Sequence, residues 1–409
     1  MEQWMQRFNR PIPVVVALGI LSAVYFGVLG TVWAVTGEFT RWGGHLLKLA
    51  GYPIEQLSYF NIVKMNGLPW QRVDGWVVFG MFFGALIAAL SSGNWKLRVP
   101  IQKRRIVQGL IGGVIAGFGT RMAMGCNLAA LFTGIPQFTL HAMLFTIGTI
   151  AGTWLGLKVA LSAWFLGVPK ILANKGRIVQ TVSESKKSRQ PWFALVVSIV
   201  FALIVGNYFV QGLNALALAA LFGLGFGWLI EKGQVCFTSA FRDLWISGRS
   251  TIAKALVLGM AVQVLGTAWF IAHGAPAKIM WAGPGALLGG LLFGIGIVIA
   301  GGCETGWMYR AMEGQVHFWF VGIGNVIGAT ILTLLWDKGI YQTLVAPWPK
   351  VDFVKLYGWP AALLIVYGFL ILLYAFVKYV EKKKSFASMV KLPLSENIFV
   401  KRGENVARG

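Results

Sequence analysis

The most constraining feature of the sequence is a ladder of glycines that ends in a cysteine and occurs twice. The first copy follows the pattern Gly-Gly-x-x-x-Gly-x-Gly from residue 112 and runs on to Gly125-Cys126. The second copy repeats this pattern from residue 289 and runs on to Gly302-Cys303. A gap of one residue later, the match resumes for His141 with His317, Gly148 with Gly324 and Gly152 with Gly328. The length of the match indicates an internal duplication.

Composition places both ladders in a membrane. Hydrophobic residues make up 57% of the 409 residues, charged residues only 12%, and the mean hydropathy is +0.69. A soluble core does not need this much apolar surface, whereas each transmembrane helix needs about 20 mainly apolar residues. The apolar runs are continuous rather than alternating, which argues against an outer-membrane barrel. We therefore predict an all-α polytopic membrane protein with roughly eight to ten membrane segments.

The net charge of +22 is explained by membrane topology rather than by nucleic-acid binding. Its lysines and arginines are concentrated in short segments beside the apolar runs, as the positive-inside rule describes for cytoplasmic loops. These segments are Arg7 and Arg10, Lys96–Arg105, Lys170–Arg189 and Lys378–Arg408. No small-residue cleavage site follows the first apolar run, so Pro11–Gly30 is expected to be a retained helix. Both termini are then predicted to be cytoplasmic.

The positive-inside rule also predicts that the two ladders are antiparallel. The first is entered from the cytoplasm and the second from outside, which makes the halves inverted repeats with short or broken central helices. Each half is expected to hold an opening element, at residues 27–43 and 225–245, and a ladder region, at residues 109–156 and 285–332. The predicted divisions are a first repeat half at 1–180, a cytoplasmic linker at 181–191, a second repeat half at 192–377 and a basic cytoplasmic tail at 378–409.

The glycines have two interpretations. Small residues let another backbone approach closely, so the ladders could merely pack long helices. Alternatively, Gly125 and Gly302 relax the backbone limits where a half-helix stops or starts beside a cysteine. Broken backbone at membrane depth must be buried or line a cavity. Half-helix N-termini carry a partial positive charge, so we expect converging ends to suit an anion.

The three cysteines, Cys126, Cys236 and Cys303, sharpen this expectation. The sequence has no Cys-x-x-Cys and no cysteine–histidine cluster, so it supports neither structural zinc nor thioredoxin-like chemistry. A buried cysteine is often only a small hydrophobe. Two cysteines at matched ladder positions, with a third in the second opening element, favour a function. A neutral thiol donates weakly and is soft and polarisable, so we predict a relay that hands on a soft anion.

Polar residues near the breaks complete the candidate site. An ionisable residue within a membrane segment is a functional candidate, although Glu304 and Arg310 could equally form a structural ion pair. His141 and His317 are expected to have structural roles at the start of the following spans. The predicted substrate-binding or relay residues are Cys126, Cys236, Cys303, Asn127, Thr238, Glu304, Arg310, Gly125 and Gly302.

Three motifs resemble the YeeE/YedE family of bacterial inner-membrane sulfur-transport proteins, and most closely its YedE branch, which is linked with selenium metabolism. The motifs are MGCNLAALFTG at 124–134, CFTSAFRDLW at 236–245 and GGCETGWMYR at 301–310. The resemblance implies an inner-membrane protein that takes up thiosulfate through cysteines, and it places Cys126 and Cys303 at the family's ladder positions. The first opening element departs from the thiosulfate branch, because Ala34-Val35-Thr36 stands where that branch has a cysteine.

These observations together predict a transporter, not an enzyme, that imports thiosulfate or a related sulfur anion. A transporter of selenium compounds with the same fold is the second possibility. A membrane sulfurtransferase that forms a cysteine persulfide is an alternative of another class. A scaffold or channel is a third. We predict no cofactor, no metal and no nucleic-acid partner; a cytoplasmic sulfur-carrier protein is a possible partner. The sequence contains no nucleotide-binding motif that would couple it directly to ATP.

Overall fold

The structure, a computed structural model, describes residues 10–162, 165 and 189–391, with side chains as far as residue 384. In these residues the chain forms fourteen α-helices and several short 3-10 and π-helical turns, with isolated bridges but no strand. The predicted linker at 181–191, the basic stretch Lys170–Arg189 and the end of the tail lie mostly outside the described residues.

Only loops, short helical turns and isolated bridges separate the helices of the described chain. In chain order they are α1 Pro11–Leu29, α2 Thr36–Leu49, α3 Ser58–Ile62, α4 Val73–Ser91, α5 Arg104–Met122, α6 Leu140–Ala160, α7 Gln190–Val210, α8 Asn214–Gly233, α9 Phe237–Ser247, α10 Thr251–Ala272, α11 Pro284–Ala300, α12 Glu304–Met312, α13 Val316–Leu335 and α14 Phe353–Lys391.

Ten stretches of the described chain are long and apolar enough to cross a membrane. Six of them are single helices, namely α1, α4, α6, α7, α10 and α14. The other four begin as α5, α8, α11 and α13 and continue past a break into a short helix or turn. The prediction of an all-α polytopic membrane protein with eight to ten segments is therefore confirmed. The broken segments include both ladders and the second opening element.

The long helices pack in pairs that join the two halves. Helix α1 packs on α10, α4 on α8, α6 on α11, α13 on α5, and α5 on α11. Let α1, α4, α5 and α6 correspond to α8, α10, α11 and α13. The α1–α10 pair then corresponds to α4–α8, the α6–α11 pair corresponds to α5–α13, and the central α5–α11 pair corresponds to itself. This is the packing that a pseudo-two-fold axis beside α5 and α11 produces. Helices α7 and α14 lie outside it, α7 on α4 and α14 on α9 and α10.

The ladder glycines are the contact points of these pairs. Gly112 lies on the backbone of Ala300, and its counterpart Gly289 lies on the backbone of Ala123. A methyl group at either position would overlap main-chain atoms, so only glycine allows so close an approach. The two contacts also show that α5 and α11 run antiparallel. The packing interpretation of the ladder glycines is therefore correct, and it applies together with the breaks that follow them.

Candidate functional site

Three short helical elements begin directly after the three cysteines. Cys126 precedes the π-helical turn Asn127–Phe132, Cys236 precedes α9 and Cys303 precedes α12. All three cysteines are buried, free and extended in backbone conformation. Helix N-termini carry unpaired N–H groups and partial positive charge. Cys236 and Cys303, at the N-termini of α9 and α12, therefore lie where negative charge is favoured. The fourth such element, α2, begins after Val35 and has no thiol there.

The backbone at the two ladder breaks differs in one respect from the prediction. We expected Gly125 and Gly302 to relax the backbone, but the left-handed residues are Met124, with φ 54°, and Gly301, with φ 81°. Gly125 and Gly302 are instead needed for space. A Cβ at Gly125 would lie 2.7 Å from the Cβ of Ala130, and one at Gly302 would lie 2.9 Å from the Phe318 ring. Both glycines therefore allow the short elements to pack tightly behind the cysteines.

Two of the cysteines form a thiol pair. The Cys236 and Cys303 sulfurs lie 3.9 Å apart, although the residues come from different breaks. Cys303 Sγ also lies 3.1 Å from Thr305 Oγ1, and the Ser239 hydroxyl donates to the Cys236 carbonyl at 2.7 Å. Gly306 makes this pairing possible, because a Cβ there would lie 2.5 Å from the Cys236 sulfur. The second half of the chain therefore brings together two of the three predicted relay thiols.

Arg310 joins this thiol pair. Its Nη1 donates to the Gly301 carbonyl at 3.2 Å and approaches Cys236 Sγ at 3.9 Å. The guanidinium carbon lies 5.1 Å from the ring centroids of both Tyr309 and Phe318, which hold the group in place by cation–π contact. A guanidinium fixed beside two thiols places a permanent positive charge next to both sulfurs.

Glu304 does not pair with Arg310, so the ion-pair alternative is wrong. Glu304 Oε1 accepts a hydrogen bond from Asn325 Nδ2 at 3.1 Å, while its Oε2 has no partner among the described residues. The same holds for both side-chain polar atoms of Asn127 and for Thr238 Oγ1, all of which are buried. Buried polar atoms are normally hydrogen-bonded. Three predicted site residues thus have unused hydrogen-bonding capacity close to the breaks.

Cys126 is placed differently from the thiol pair. Both Arg121 and Glu304 lie within electrostatic range of its sulfur. Arg121, at the end of α5, donates from Nη2 to the Thr36 hydroxyl at the start of α2, and its buried Nε has no partner in the described part of the chain. Tyr59 donates to the Arg121 carbonyl at 3.1 Å. Cys126 therefore has an arginine within electrostatic range, but not the direct contact that Arg310 makes with Cys236.

The antiparallel crossing of α5 and α11 gives the two breaks different depths. Ala300, at the end of α11, is level with Gly112, and Ala123, just after α5, is level with Gly289. Eleven residues of helix separate Gly112 from Ala123, which corresponds to about 16 Å along the axis. The break at Cys126 therefore lies on the side of the bundle where α11 begins. The break at Cys303 lies on the opposite side, where α5 begins.

The other conspicuous ionisable residues have structural partners. Buried Glu38 binds Arg41 at 3.0 Å and Arg72 at 2.5 Å, and Arg41 also binds Asp74 at 2.7 Å. Burial and the charge of Arg72 lower the pKa of neighbouring His45. This network ties α2 to the start of α4. Arg242 and Asp243 form a partly exposed ion pair of their own.

The matched histidines support the ladder helices. His141 Nε2 lies 2.6 Å from the Ala123 carbonyl, and His317 Nε2 lies 2.8 Å from the Ala300 carbonyl. Each histidine thus satisfies a carbonyl left unpaired where its ladder helix ends, a structural role of the kind expected for them.

Sequence reasoning missed three residues of the thiol environment: Thr305, Asn325 and Ser239. Thr305 and Ser239 follow their cysteines within a few positions, and Asn325 directly follows a ladder glycine in an apolar span. Their polarity was visible, but their partners depend on how separate helices meet. The described residues contain no group of three histidine, cysteine or acidic side chains that could hold a metal ion.

Comparison with known proteins gives one consistent result. Residues 2–155 and 232–404 match the sulphur transport family. The chain is 51% identical over 366 residues to "Probable transporter YedE" of Escherichia coli strain K12, covering 89% of this chain and 90% of that protein. It is 50% identical over 369 residues to the protein of the same name from Salmonella typhimurium strain LT2, covering 90% of this chain and 91% of that protein.

A more distant similarity extends to proteins with a named substrate. The chain is 34% identical over 120 residues to "Thiosulfate transporter TsuA" of Escherichia coli strain K12, covering 29% of this chain and 34% of that protein. No solved structure matches the chain.

Proposed function

The chain belongs to the sulphur transport family, and from this premise we propose that it imports a small, soft sulfur-containing anion, thiosulfate or a related species, past the thiols of Cys126, Cys303 and Cys236. The observation that carries the proposal is the pair of buried sulfurs 3.9 Å apart with the Arg310 guanidinium beside them. The name of the TsuA relatives, thiosulfate transporters, supports thiosulfate as the first substrate to test.

The chemistry of the thiol pair suits an anion with an exposed sulfur. A neutral thiol is a weak S–H donor with a soft sulfur, so it can donate to a sulfur anion and stay in contact with it. Two thiolates would repel the same ligand, so we propose that the transported anion meets neutral thiols. Arg310 supplies the countercharge without depending on pH, because its guanidinium stays protonated in proteins. An anion that exposes only hard oxygens gains less from sulfur contacts, which would give the path its selectivity.

The two breaks define an order of contact. Under the predicted orientation, Cys126 is nearer the outer side, and Cys303 with Cys236 is nearer the cytoplasm. An entering anion would first meet Cys126 with Arg121 and then the thiol pair with Arg310. The unused polar atoms of Asn127, in the first half, and Glu304, in the second, lie at matched positions beside the two ladder cysteines. We propose that these groups bind the anion or its water during passage.

We propose that the anion enters through a polar cavity. It has a volume of about 330 Å³ and lies beside α2 and the start of α4, where the topology places the outside of the membrane. Arg41, Lys64 and Arg72 line it together with Asp74, and Glu38 pairs with both arginines from behind, which leaves a small excess of positive charge. A cavity with this charge raises the local concentration of an anion before it reaches the narrow path.

The orientation and the cellular setting are part of the proposal. We place the protein in the bacterial inner membrane with both termini in the cytoplasm, because the basic segments Lys96–Arg105 and Lys378–Arg408 would then lie on the inner side. A cytoplasmic sulfur-carrier protein that accepts the imported sulfur is the partner this arrangement would allow.

Uptake by purified protein in liposomes tests the function. Thiosulfate labelled on its outer sulfur is compared with thiosulfate labelled on its central sulfur. Import of the intact anion predicts that both labels accumulate inside at equal rates. If only the outer sulfur is retained, on protein, and sulfite stays outside, the protein is a sulfurtransferase. If neither label accumulates, growth of an uptake-deficient strain on selenium compounds against thiosulfate tests the selenium alternative.

A further inference from the structure

A groove on the surface of the bundle runs between α6 and α14. Two adjoining cavities of about 580 and 380 Å³ share Trp154, Trp245 and Phe376 in their walls. The remaining wall of the larger cavity is wholly apolar: Ile147, Ile150, Ala151, Phe369, Leu372 and Leu373. The smaller cavity ends in three lysines: Lys158, Lys383 and Lys384. The groove therefore has an apolar end and a basic end.

The direction of the groove matches the depth of a membrane. Residue numbers rise along both helices from the apolar end to the basic end. The distance along α14 from Phe369 to Lys384 is about 22 Å at the rise of an α-helix. This is most of the roughly 30 Å hydrocarbon thickness of a bilayer. The apolar cavity thus lies at membrane depth, and the lysines lie at the membrane surface, on the side where the basic segments are predicted.

The charges at the basic end are available to an anion. The walls of the smaller cavity contain three lysines and no acidic residue. Lys158 Nζ lies 3.6 Å from the centroid of the Trp154 ring, a contact that positions the ammonium group without neutralising it. The nearby acid Glu381 is already bound by Lys254 and by Ser250, each at 2.6 Å.

The apolar walls are fixed rather than loosely packed. Trp245 donates from its indole nitrogen to Thr153 Oγ1 at 3.1 Å. Its ring also meets Phe376 edge to face, with a centroid distance of 5.7 Å. Three aromatic side chains from α6, α9 and α14 therefore form a wall shared by both cavities. A flexible ligand with an extended apolar part would complete that wall.

From these observations we infer that the groove is a binding site for an anionic phospholipid. Its acyl chains would lie in the larger cavity, and its phosphate would contact Lys158, Lys383 and Lys384. Basic pockets between transmembrane helices recognise acidic lipid head groups, and each lysine near the surface adds to the attraction. A long apolar ligand with a negatively charged head is the chemistry that matches both ends. The site is separate from the thiols and does not depend on the identity of the transported anion.

Native mass spectrometry of the purified protein tests this inference. Phosphatidylglycerol and phosphatidylcholine with the same acyl chains are titrated separately onto delipidated protein. We expect the wild type to bind phosphatidylglycerol at least about tenfold more tightly. The triple variant K158Q/K383Q/K384Q should lose this preference. The matched control K96Q/K103Q/K382Q removes three exposed lysines from the same predicted membrane side and should keep it.

A neutral variant checks the apolar end independently. Ala151→Phe fills the larger cavity without changing charge, so it should weaken the binding of both lipids. Equal binding of the two lipids by the wild type, or an equal loss in the control, would overturn the proposal. A second copy of the chain on the groove, seen as a dimer that Ala151→Phe dissociates, would overturn it as well. If the triple variant does not fold, Lys158→Gln alone must still reduce the preference.

Discussion

The close crossing of α5 and α11 gives a prediction whose size follows from the structure. In a Gly112→Ala variant the new Cβ would overlap the backbone nitrogen of Ala300 and lie 2.8 Å from both the Ala300 Cα and the Gly296 carbonyl oxygen. Ordinary contacts begin near 3.5 Å, so the overlap with the backbone nitrogen would require the helices to separate by roughly 1 Å or more. Main-chain atoms on both sides leave no flexible side chain to move aside.

Overpacking of this kind typically costs about 1–3 kcal/mol. For a chain of this size the unfolding entropy is about 0.9 kcal/mol/K, so we expect the thermal midpoint to fall by roughly 1–4 °C. A larger separation between α5 and α11 should also lower uptake, because it moves the break at Cys126 away from the break at Cys303. The assay is thermal unfolding of the purified variant in detergent, followed by uptake in liposomes at equal protein content.

The structure provides matched controls for this variant. Gly289→Ala places its Cβ 2.5 Å from the Ala123 backbone nitrogen at the counterpart position, so it should be as harmful. Gly206→Ala lies in α7 with nothing within 4 Å of the added carbon, so it should be neutral or stabilise by up to about 1 kcal/mol. If Gly112→Ala proves as harmless as Gly206→Ala, the two ladder helices do not approach each other as closely as described.

Three further predictions concern residues around the site. Glu38→Ala leaves Arg41 and Arg72 without their buried acid and should cost about 3–5 kcal/mol in unfolding free energy, measured by denaturant titration; a loss below about 1 kcal/mol would contradict the network. Gly301→Ala forces a side chain into a left-handed backbone and should cost about 1–2 kcal/mol, with Gly301→Asn costing less; equal losses would refute this explanation. The pKa of His45 is lowered by burial and by Arg72, so the unfolded state binds more protons, and stability should fall as pH drops below about 6.5. In thermal scans from pH 7.5 to 5, the midpoint of His45→Gln should depend less on pH than that of the wild type. An unchanged slope would show that His45 does not cause the pH dependence.

The fold was largely predictable because it depends on patterns that a sequence displays directly. Long apolar runs predict the spans, and the doubled ladder predicts two related broken segments. The orientation that the flanking lysines and arginines indicate stays a prediction. The breaks after Gly125 and Gly302 lie where the ladders end. The left-handed residues were misplaced by one position, since Met124 takes a conformation for which sequence reasoning favours glycine.

The structure brings several of the predicted site residues together, but their contacts were not predictable. The duplication singled out Cys126 and Cys303, yet no local signal places Cys236 rather than Cys126 beside Cys303. That pairing depends on Gly306, which leaves room for a sulfur from another segment. Likewise Glu304 had a plausible cation six residues away in Arg310, but the carboxylate hydrogen-bonds to Asn325 on the next helix. Helix packing decides such choices, and single-sequence reasoning does not include it.

Uptake of labelled thiosulfate by the three single variants Cys126→Ser, Cys236→Ser and Cys303→Ser tests the central claim most directly. Each variant should fold as the wild type does, since serine differs from cysteine by one buried atom. Serine keeps a hydroxyl donor but removes the soft sulfur contact with the anion, so we expect each variant to slow uptake by about tenfold, which corresponds to about 1.4 kcal/mol. Uptake by all three variants at the wild-type rate, with thermal midpoints unchanged, would contradict a path made of thiols.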